Sequence, residues 1–214
     1  MKNNTFRFLA AATVYVIILI MNLTGLPRVI CDMGNHIFVL ICLIFCTQDW
    51  TELQNHLLLL FLVFTLAGDT LTGFTPTFAA GVVFFFLSQI TMSKMIWRNN
   101  GDRHMWAGRA ALTAAALAGA GAAGLLNPFY SFGVVYFMWF VCNAIQAFAA
   151  KGWDNTRVRI AMGLYILGDI CLIGNLLIPK TSGLLTMILT YGTWIPYLPA
   201  VYLIATSGRT STDP

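Results

Sequence analysis

The sequence predicts an all-α integral membrane protein, a bundle of eight transmembrane helices with both termini in the cytoplasm. Composition is the first observation behind this prediction, because 58% of the 214 residues are hydrophobic and only 9% are charged. A soluble domain carries about 25% charged residues, so this chain has too little polar surface to remain in water. The other two observations are the number of long apolar segments and the distribution of Lys and Arg.

Eight apolar segments are long enough to cross the membrane as helices, since a hydrocarbon core of about 30 Å takes about 20 helical residues. They cover 6–26, 29–47, 56–74, 77–97, 106–126, 129–150, 158–178 and 183–206. Pro196 and Pro199 are expected to bend or break the last of them. The remaining residues suffice only for short loops, so residues 1–214 are expected to form one transmembrane domain.

The positions of Lys and Arg give the orientation. With eight helices, ten of the 12 Lys and Arg lie on the side of the two termini, and only Arg28 and Lys180 lie on the other. The ten include Arg109, near the start of the fifth segment. Because positive charges concentrate in cytoplasmic loops, both termini are expected there. Short loops favour a multi-pass protein of a bacterial inner membrane, and the net charge of +4 is no sign of nucleic-acid binding.

Two carboxyl groups lie inside apolar segments. Asp69 follows Gly68 in the third segment, and Asp169 follows Gly168 in the seventh. A carboxyl at the centre of a membrane helix costs about 2.5–3.5 kcal/mol on insertion scales, and such residues normally face a protein interior or a wet cavity and mark a function. At about 1.5 Å per residue, the two carboxyls lie near one level of the bilayer. We therefore expect them to share one intramembrane cavity.

Polar side chains of other segments are expected to line that cavity. In the sixth segment they recur at helical spacing and form one stripe. The residues expected to bind water or the polar part of a substrate are Gln89, Asn143, Gln146, Tyr165 and Tyr191. No metal site or organic cofactor is predicted, because the five Cys and three His form no cluster with metal-ligand spacing. The small residues of the fifth segment are expected to pack closely against another helix.

In the order and spacing of these features over residues 55–205, the chain resembles the YhhN family, which includes the transmembrane-86 lysoplasmalogenases. The shared features are Gly68-Asp69, Ser88-Gln89, the polar stripe of the sixth segment, Gly163 to Asp169, and Thr190-Tyr191. Relatives usually carry His at the position of Gln89 and a Lys-Pro pair near the start of the second helix, which is missing here.

The resemblance implies a membrane hydrolase that cleaves the vinyl ether bond of lysoplasmalogens to a fatty aldehyde and glycerophospho-ethanolamine or -choline, with lysophospholipids and membrane lipids as its partners. The two carboxyls suit that chemistry on independent grounds. A carboxyl in an apolar cavity can stay protonated and act as the acid, while a second carboxylate stabilises the cation and orients water, as in glycosidases. Either carboxyl can fill either role, and we assign Asp169 as the acid and Asp69 as its electrostatic partner.

Two other functions fit the same residues. Paired intramembrane acids also serve proton relays, which would make the chain a proton-coupled transporter of a small molecule or lipid. Aspartates that only hydrogen-bond neighbouring helices, each contributing about 0.6–2 kcal/mol, would make it a structural protein.

Overall fold

The computed structural model describes residues 2–24, 26–46, 53–74, 78–100, 105–149, 156–178 and 183–207. Within these ranges the regular structure is entirely α-helical, which confirms the predicted all-α class. The helices are α1 (Lys2–Leu23), α2 (Arg28–Cys46), α3 (Leu53–Phe74), α4 (Phe78–Asn100), α5 (Met105–Ala122), α6 (Pro128–Ala149), α7 (Thr156–Leu177), α8 (Leu184–Trp194) and α9 (Tyr197–Ala205).

Six segments of the described chain are long and apolar enough to cross a membrane, which indicates a multi-pass membrane protein. They are Thr5–Leu23, Asn55–Thr72, Ala79–Ile96, Tyr130–Ala149, Thr156–Asn175 and Leu184–Ala205. The apolar part of α2, Val29–Ile44, is shorter, and α5 is not among the six. The count of eight spans and the cytoplasmic termini therefore stay predictions.

The chain divides into two compact units. The first unit contains α1, α2, α7, α8 and α9, in which α9 packs against α2 and α7 while α8 packs against α7. The second unit contains α3 to α6, packed in the spatial order α3, α4, α6, α5. Each aspartate of the predicted site belongs to a different unit, Asp69 to the second and Asp169 to the first.

The buried stripe of α3 contains polar as well as apolar side chains, and large apolar side chains lie on its exposed stripe. On α3, Phe61, Thr65 and Asp69 are buried, whereas Leu60 and Val63 are 43% and 42% exposed. The spacing of three or four residues places each set on one face of the helix. An exposed apolar stripe of this kind suits contact with lipid, where polar groups need partners inside the protein.

Two prolines divide the last span, as the sequence predicts. The helix α8 ends at Trp194 and α9 begins at Tyr197, after Pro196. Pro199 has no N–H group, so the carbonyl of Ile195 lacks the donor that a continuous helix would supply. The hydroxyl of Tyr15 on α1 donates to this carbonyl at 3.0 Å. A side chain of α1 thus compensates for a backbone hydrogen bond that α9 cannot form.

Candidate functional site

A buried arginine in the second unit makes four hydrogen bonds. Arg109 of α5 is 3% exposed. Its Nη1 donates to Ser93 Oγ at 3.1 Å and to the Trp139 carbonyl at 3.4 Å. Its Nη2 donates to Asn143 Oδ1 at 2.8 Å and to Gln146 Oε1. All four of these acceptors are neutral, so the hydrogen bonds solvate the guanidinium without cancelling its charge.

The acceptors are themselves joined across α4 and α6. Asn143 Nδ2 donates to both the backbone carbonyl and Oε1 of Gln89, each at 2.9 Å. Ser93 Oγ accepts from Trp139 Nε1 at 2.7 Å and lies 2.7 Å from Asn143 Oδ1. We call this set the Arg109 cluster. It consists of Gln89, Ser93, Arg109, Trp139, Asn143 and Gln146.

Helical spacing explains why these side chains converge. Gln89 and Ser93 are four residues apart on α4, and Trp139, Asn143 and Gln146 are separated by four and three residues on α6, so each set lies on one helix face. Two tryptophan rings complete the surroundings. The guanidinium carbon lies 5.3 Å from the ring centroid of Trp139 and 5.9 Å from that of Trp106, within the range of cation–π attraction.

Asp69 lies where α3 and α4 approach each other closely. Its side chain is only 6% exposed. A Cβ atom added to Gly81 of α4 would lie 2.9 Å from the carbonyl oxygen of Gly68 and 3.2 Å from the backbone nitrogen of Thr72. One added to Gly68 would lie 2.9 Å from the ring of Phe85. The glycine before the aspartate and a facing glycine thus let the two backbones meet at the level of the carboxyl.

In the first unit, Asp169 lies beside the division between α8 and α9. Asp169 is 9% exposed and Tyr165, one turn earlier, is 2% exposed. The ring of Tyr165 packs edge-on against Tyr197, with centroids 5.3 Å apart. A Cβ atom added to Gly168 would lie 3.1 Å from the carbonyl oxygen of Thr193. As with Asp69, the glycine before the aspartate admits close approach of another helix.

The first unit contains a buried amide that has no hydrogen-bond partner among the described residues. Asn35 of α2 is 1% exposed, and neither its Nδ2 nor its Oδ1 makes a hydrogen bond within the described residues. Asp32 lies one turn earlier on the same buried stripe and is 6% exposed. Burying an amide without partners costs roughly 1–3 kcal/mol in proteins, so Asn35 contrasts sharply with the fully bonded Asn143.

The predicted site residues are distributed over both units. Gln89, Asn143 and Gln146 meet in the Arg109 cluster, and Asp69 lies in the same unit. The remaining three, Tyr165, Asp169 and Tyr191, belong to the first unit.

Arg109 was not predicted to be a site residue, because its position near a segment end is typical of a loop charge. The structure places Arg109 in the second turn of α5 and buries it. A charged residue followed by a long run of Ala and Leu was the available signal.

Neither family models nor curated proteins nor solved structures give a match to this chain. Within the described ranges, no three side chains of His, Cys, Asp or Glu are grouped so as to hold a metal ion.

Proposed function

We propose that this chain is a membrane hydrolase that cleaves the vinyl ether bond of lysoplasmalogens, with Asp69 and Asp169 supplying the acid chemistry. The observation that carries the proposal is the burial of both carboxyls, 6% and 9% exposed, in helices whose opposite faces are apolar and exposed. Carboxyls in such positions are costly and mark functional sites. The resemblance to the YhhN family selects the reaction among those that buried acids can perform.

The reaction needs one proton donor and one water molecule. The carboxyl donates its proton to the β-carbon of the alkene, and the electron pair of the double bond forms the new C–H bond. The α-carbon, still attached to the ether oxygen, becomes an oxocarbenium ion. Water adds to this carbon and returns a proton to the carboxylate. The resulting hemiacetal loses the glycerol oxygen, which takes up the hydroxyl proton, and a fatty aldehyde is released.

The surroundings of the two aspartates favour this use of a carboxyl. An acid that is shielded from water stays protonated more easily than one in solution, so it can act as a donor near neutral pH. Gln89 and Tyr165 are both buried in the same units as Asp69 and Asp169 respectively. We assign Gln89, Asn143, Gln146, Tyr165 and Tyr191 to the binding of water and of the glycerophospho group.

The test uses purified protein with matched 1-alkenyl and 1-acyl lysophosphatidylethanolamine, and measures aldehyde and fatty acid. Aldehyde should form only from the alkenyl lipid. Asp69→Asn and Asp169→Asn should each reduce its formation by about 100-fold or more, the usual effect of losing a general acid. Thr70→Ala and Ile170→Ala alter the next residue on the exposed face of the same helix and should leave the rate unchanged.

Other results would reject the proposal in distinguishable ways. Fatty acid from the acyl lipid would indicate an esterase. Neither product, together with proton-dependent uptake in proteoliposomes that the Asp→Asn variants abolish, would indicate the proton-coupled transporter. Loss of folding in both Asp→Asn variants, with no product from the wild type, would indicate that the aspartates only hold helices together.

A further inference from the structure

We propose that Arg109 binds the phosphate of the lysophospholipid and thereby sets a preference for phosphate-bearing ether lipids over neutral ones. This inference rests on the proposed function for the identity of the lipid, because the chemistry of Arg109 by itself specifies only a phosphate-type anion. Four features of the second unit support it, namely the charge of Arg109, its weakest hydrogen bond, its tryptophan cover and its distance from Asp69.

The charge of Arg109 calls for an anion. A guanidinium keeps its proton at any physiological pH, and a charge buried in an apolar bundle is costly unless it is paired. The four acceptors described for Arg109 are a hydroxyl, a carbonyl and two carboxamides, all of them neutral. Arginine binds phosphate oxygens strongly because its N–H groups are fixed in one plane. A phosphate beside the guanidinium would therefore gain both charge neutralisation and hydrogen bonds.

One edge of the guanidinium can donate to a new partner with little loss of hydrogen-bond energy. The bond from Nη1 to the Trp139 carbonyl is 3.4 Å long, the weakest of the four. A phosphate oxygen would exchange this long neutral bond for a charge-assisted one. Trp139 Nε1, which now donates to Ser93 Oγ at 2.7 Å, lies in the same cluster and could donate to a second phosphate oxygen.

The partly exposed side chain of Trp106 covers the guanidinium of Arg109. Trp106 lies 5.9 Å from the guanidinium carbon and is 47% exposed. Rotation of its side chain would uncover Arg109 without moving a helix. Ser93 and Gln146 lie in the last third of α4 and α6, and Arg109 lies in the second turn of α5. The uncovered group would therefore face the half of the bundle that leads to one layer of lipid head groups.

The distance from Arg109 to Asp69 matches the length of the substrate. Gly81 contacts the backbone of Gly68 and Thr72, so Asp69 is level with about residue 82 of α4. Ser93, which accepts from Arg109, is 11 residues further along α4, or about 16 Å at 1.5 Å per residue. The six bonds from phosphorus to the α-carbon of the vinyl ether span roughly 8 Å when extended. The contact of the phosphate with Arg109 and that of the α-carbon with Asp69 add roughly 7 Å, which gives about 15 Å in total.

The experiment measures binding alone, so it does not depend on catalysis. Isothermal titration in one detergent compares non-hydrolysable 1-O-alkyl lysophosphoethanolamine with 1-O-alkylglycerol of the same chain length. Wild type should bind the phosphate-bearing lipid about 10-fold or more tightly, as expected for a hydrogen bond to a charged group. Arg109→Gln should reduce this ratio to near 1, and Arg109→Lys should give an intermediate ratio because Lys retains charge but not the planar fork.

Controls separate this contact from general effects. Arg157, which is exposed and donates to the Thr206 carbonyl at 3.0 Å, is the matched control. Arg157→Gln should preserve the wild-type ratio. Equal binding of the two lipids by wild type overturns the proposal even if no Arg109 variant folds. An unchanged ratio in folded Arg109→Gln overturns it as well.

The source of the phosphate is tested in the same titration. Inorganic phosphate and glycerol 3-phosphate should compete only at concentrations far above that of the lipid, because they lack the alkyl chain. Competition by inorganic phosphate as strong as that of the lysophospholipid would assign the site to a free anion and reject the lipid assignment. An unchanged phosphate preference in folded Arg109→Gln, with aldehyde still formed from the alkenyl lipid, would leave the hydrolase standing and reject Arg109 as its specificity residue.

Discussion

The contact between α3 and α4 at Asp69 yields a quantitative prediction for Gly81→Ala. An alanine Cβ at this position would meet the Thr72 side chain, the Gly68 carbonyl oxygen at 2.9 Å and the Thr72 nitrogen at 3.2 Å. Two of these three atoms are backbone, so the helices have to separate by several tenths of an ångström. Overpacking of this kind typically costs about 1–3 kcal/mol, which outweighs the roughly 1 kcal/mol that Ala gains over Gly in a helix.

The net loss in the free energy of unfolding should lie between about 0 and 2 kcal/mol, or a decrease in Tm of up to roughly 8 °C for a chain of this size. Thermal unfolding of the purified protein in one detergent measures it. Gly133→Ala is the control, because its added Cβ would meet no described atom within 4 Å, and it should keep or raise Tm. Equal Tm values for Gly81→Ala and Gly133→Ala would refute the close approach of α3 and α4 at Gly81. If aldehyde formation is the function, Gly81→Ala should also lower it while the protein is still folded, because it displaces Asp69.

Two further predictions concern hydrogen bonds in the bundle, both measured as free energies of unfolding. Tyr15→Phe should cost about 0.5–1.5 kcal/mol by removing the donor to the Ile195 carbonyl, and less in a Pro199→Ala background, where residue 199 supplies its own N–H. An equal cost in both backgrounds would contradict this account. Asn143→Leu should cost about 1–3 kcal/mol by breaking its bonds, whereas Asn35→Leu should be neutral or stabilising because no described bond is lost. A large decrease in the free energy of unfolding for Asn35→Leu would show that the Asn35 amide is hydrogen-bonded in the folded protein.

The sequence was sufficient to predict features that depend on one helix at a time. The helical class and the division of the last span at Pro196 follow from apolar length and from the missing N–H of proline. The placement of Asn143 and Gln146 on one face of α6 was also expected, from their spacing along the helix. That Asp69 and Asp169 share one cavity stays a prediction.

Features that depend on how helices face one another could not be predicted. The small residues of α5 were expected to pack closely, yet a Cβ added to Gly119 would meet no described atom within 4 Å. For this glycine the expectation was wrong. A small residue permits close contact with another helix, but it does not determine which face of α5 makes that contact. Arg109 was missed for the same reason, since its depth and partners follow from the packing of α5 against α6.

The difference between a buried carboxyl and a buried guanidinium explains why the polar stripe of α6 exists. An aspartate can become neutral by taking up a proton, so a carboxyl tolerates apolar surroundings without a charged partner. Arginine has no such option, and its burial requires acceptors. Asn143 and Gln146 supply them to Arg109. If Arg109 binds phosphate as proposed, substitution of Asn143 or Gln146 should change phosphate preference before it changes the rate of proton transfer, because both carboxamides bond directly to the guanidinium.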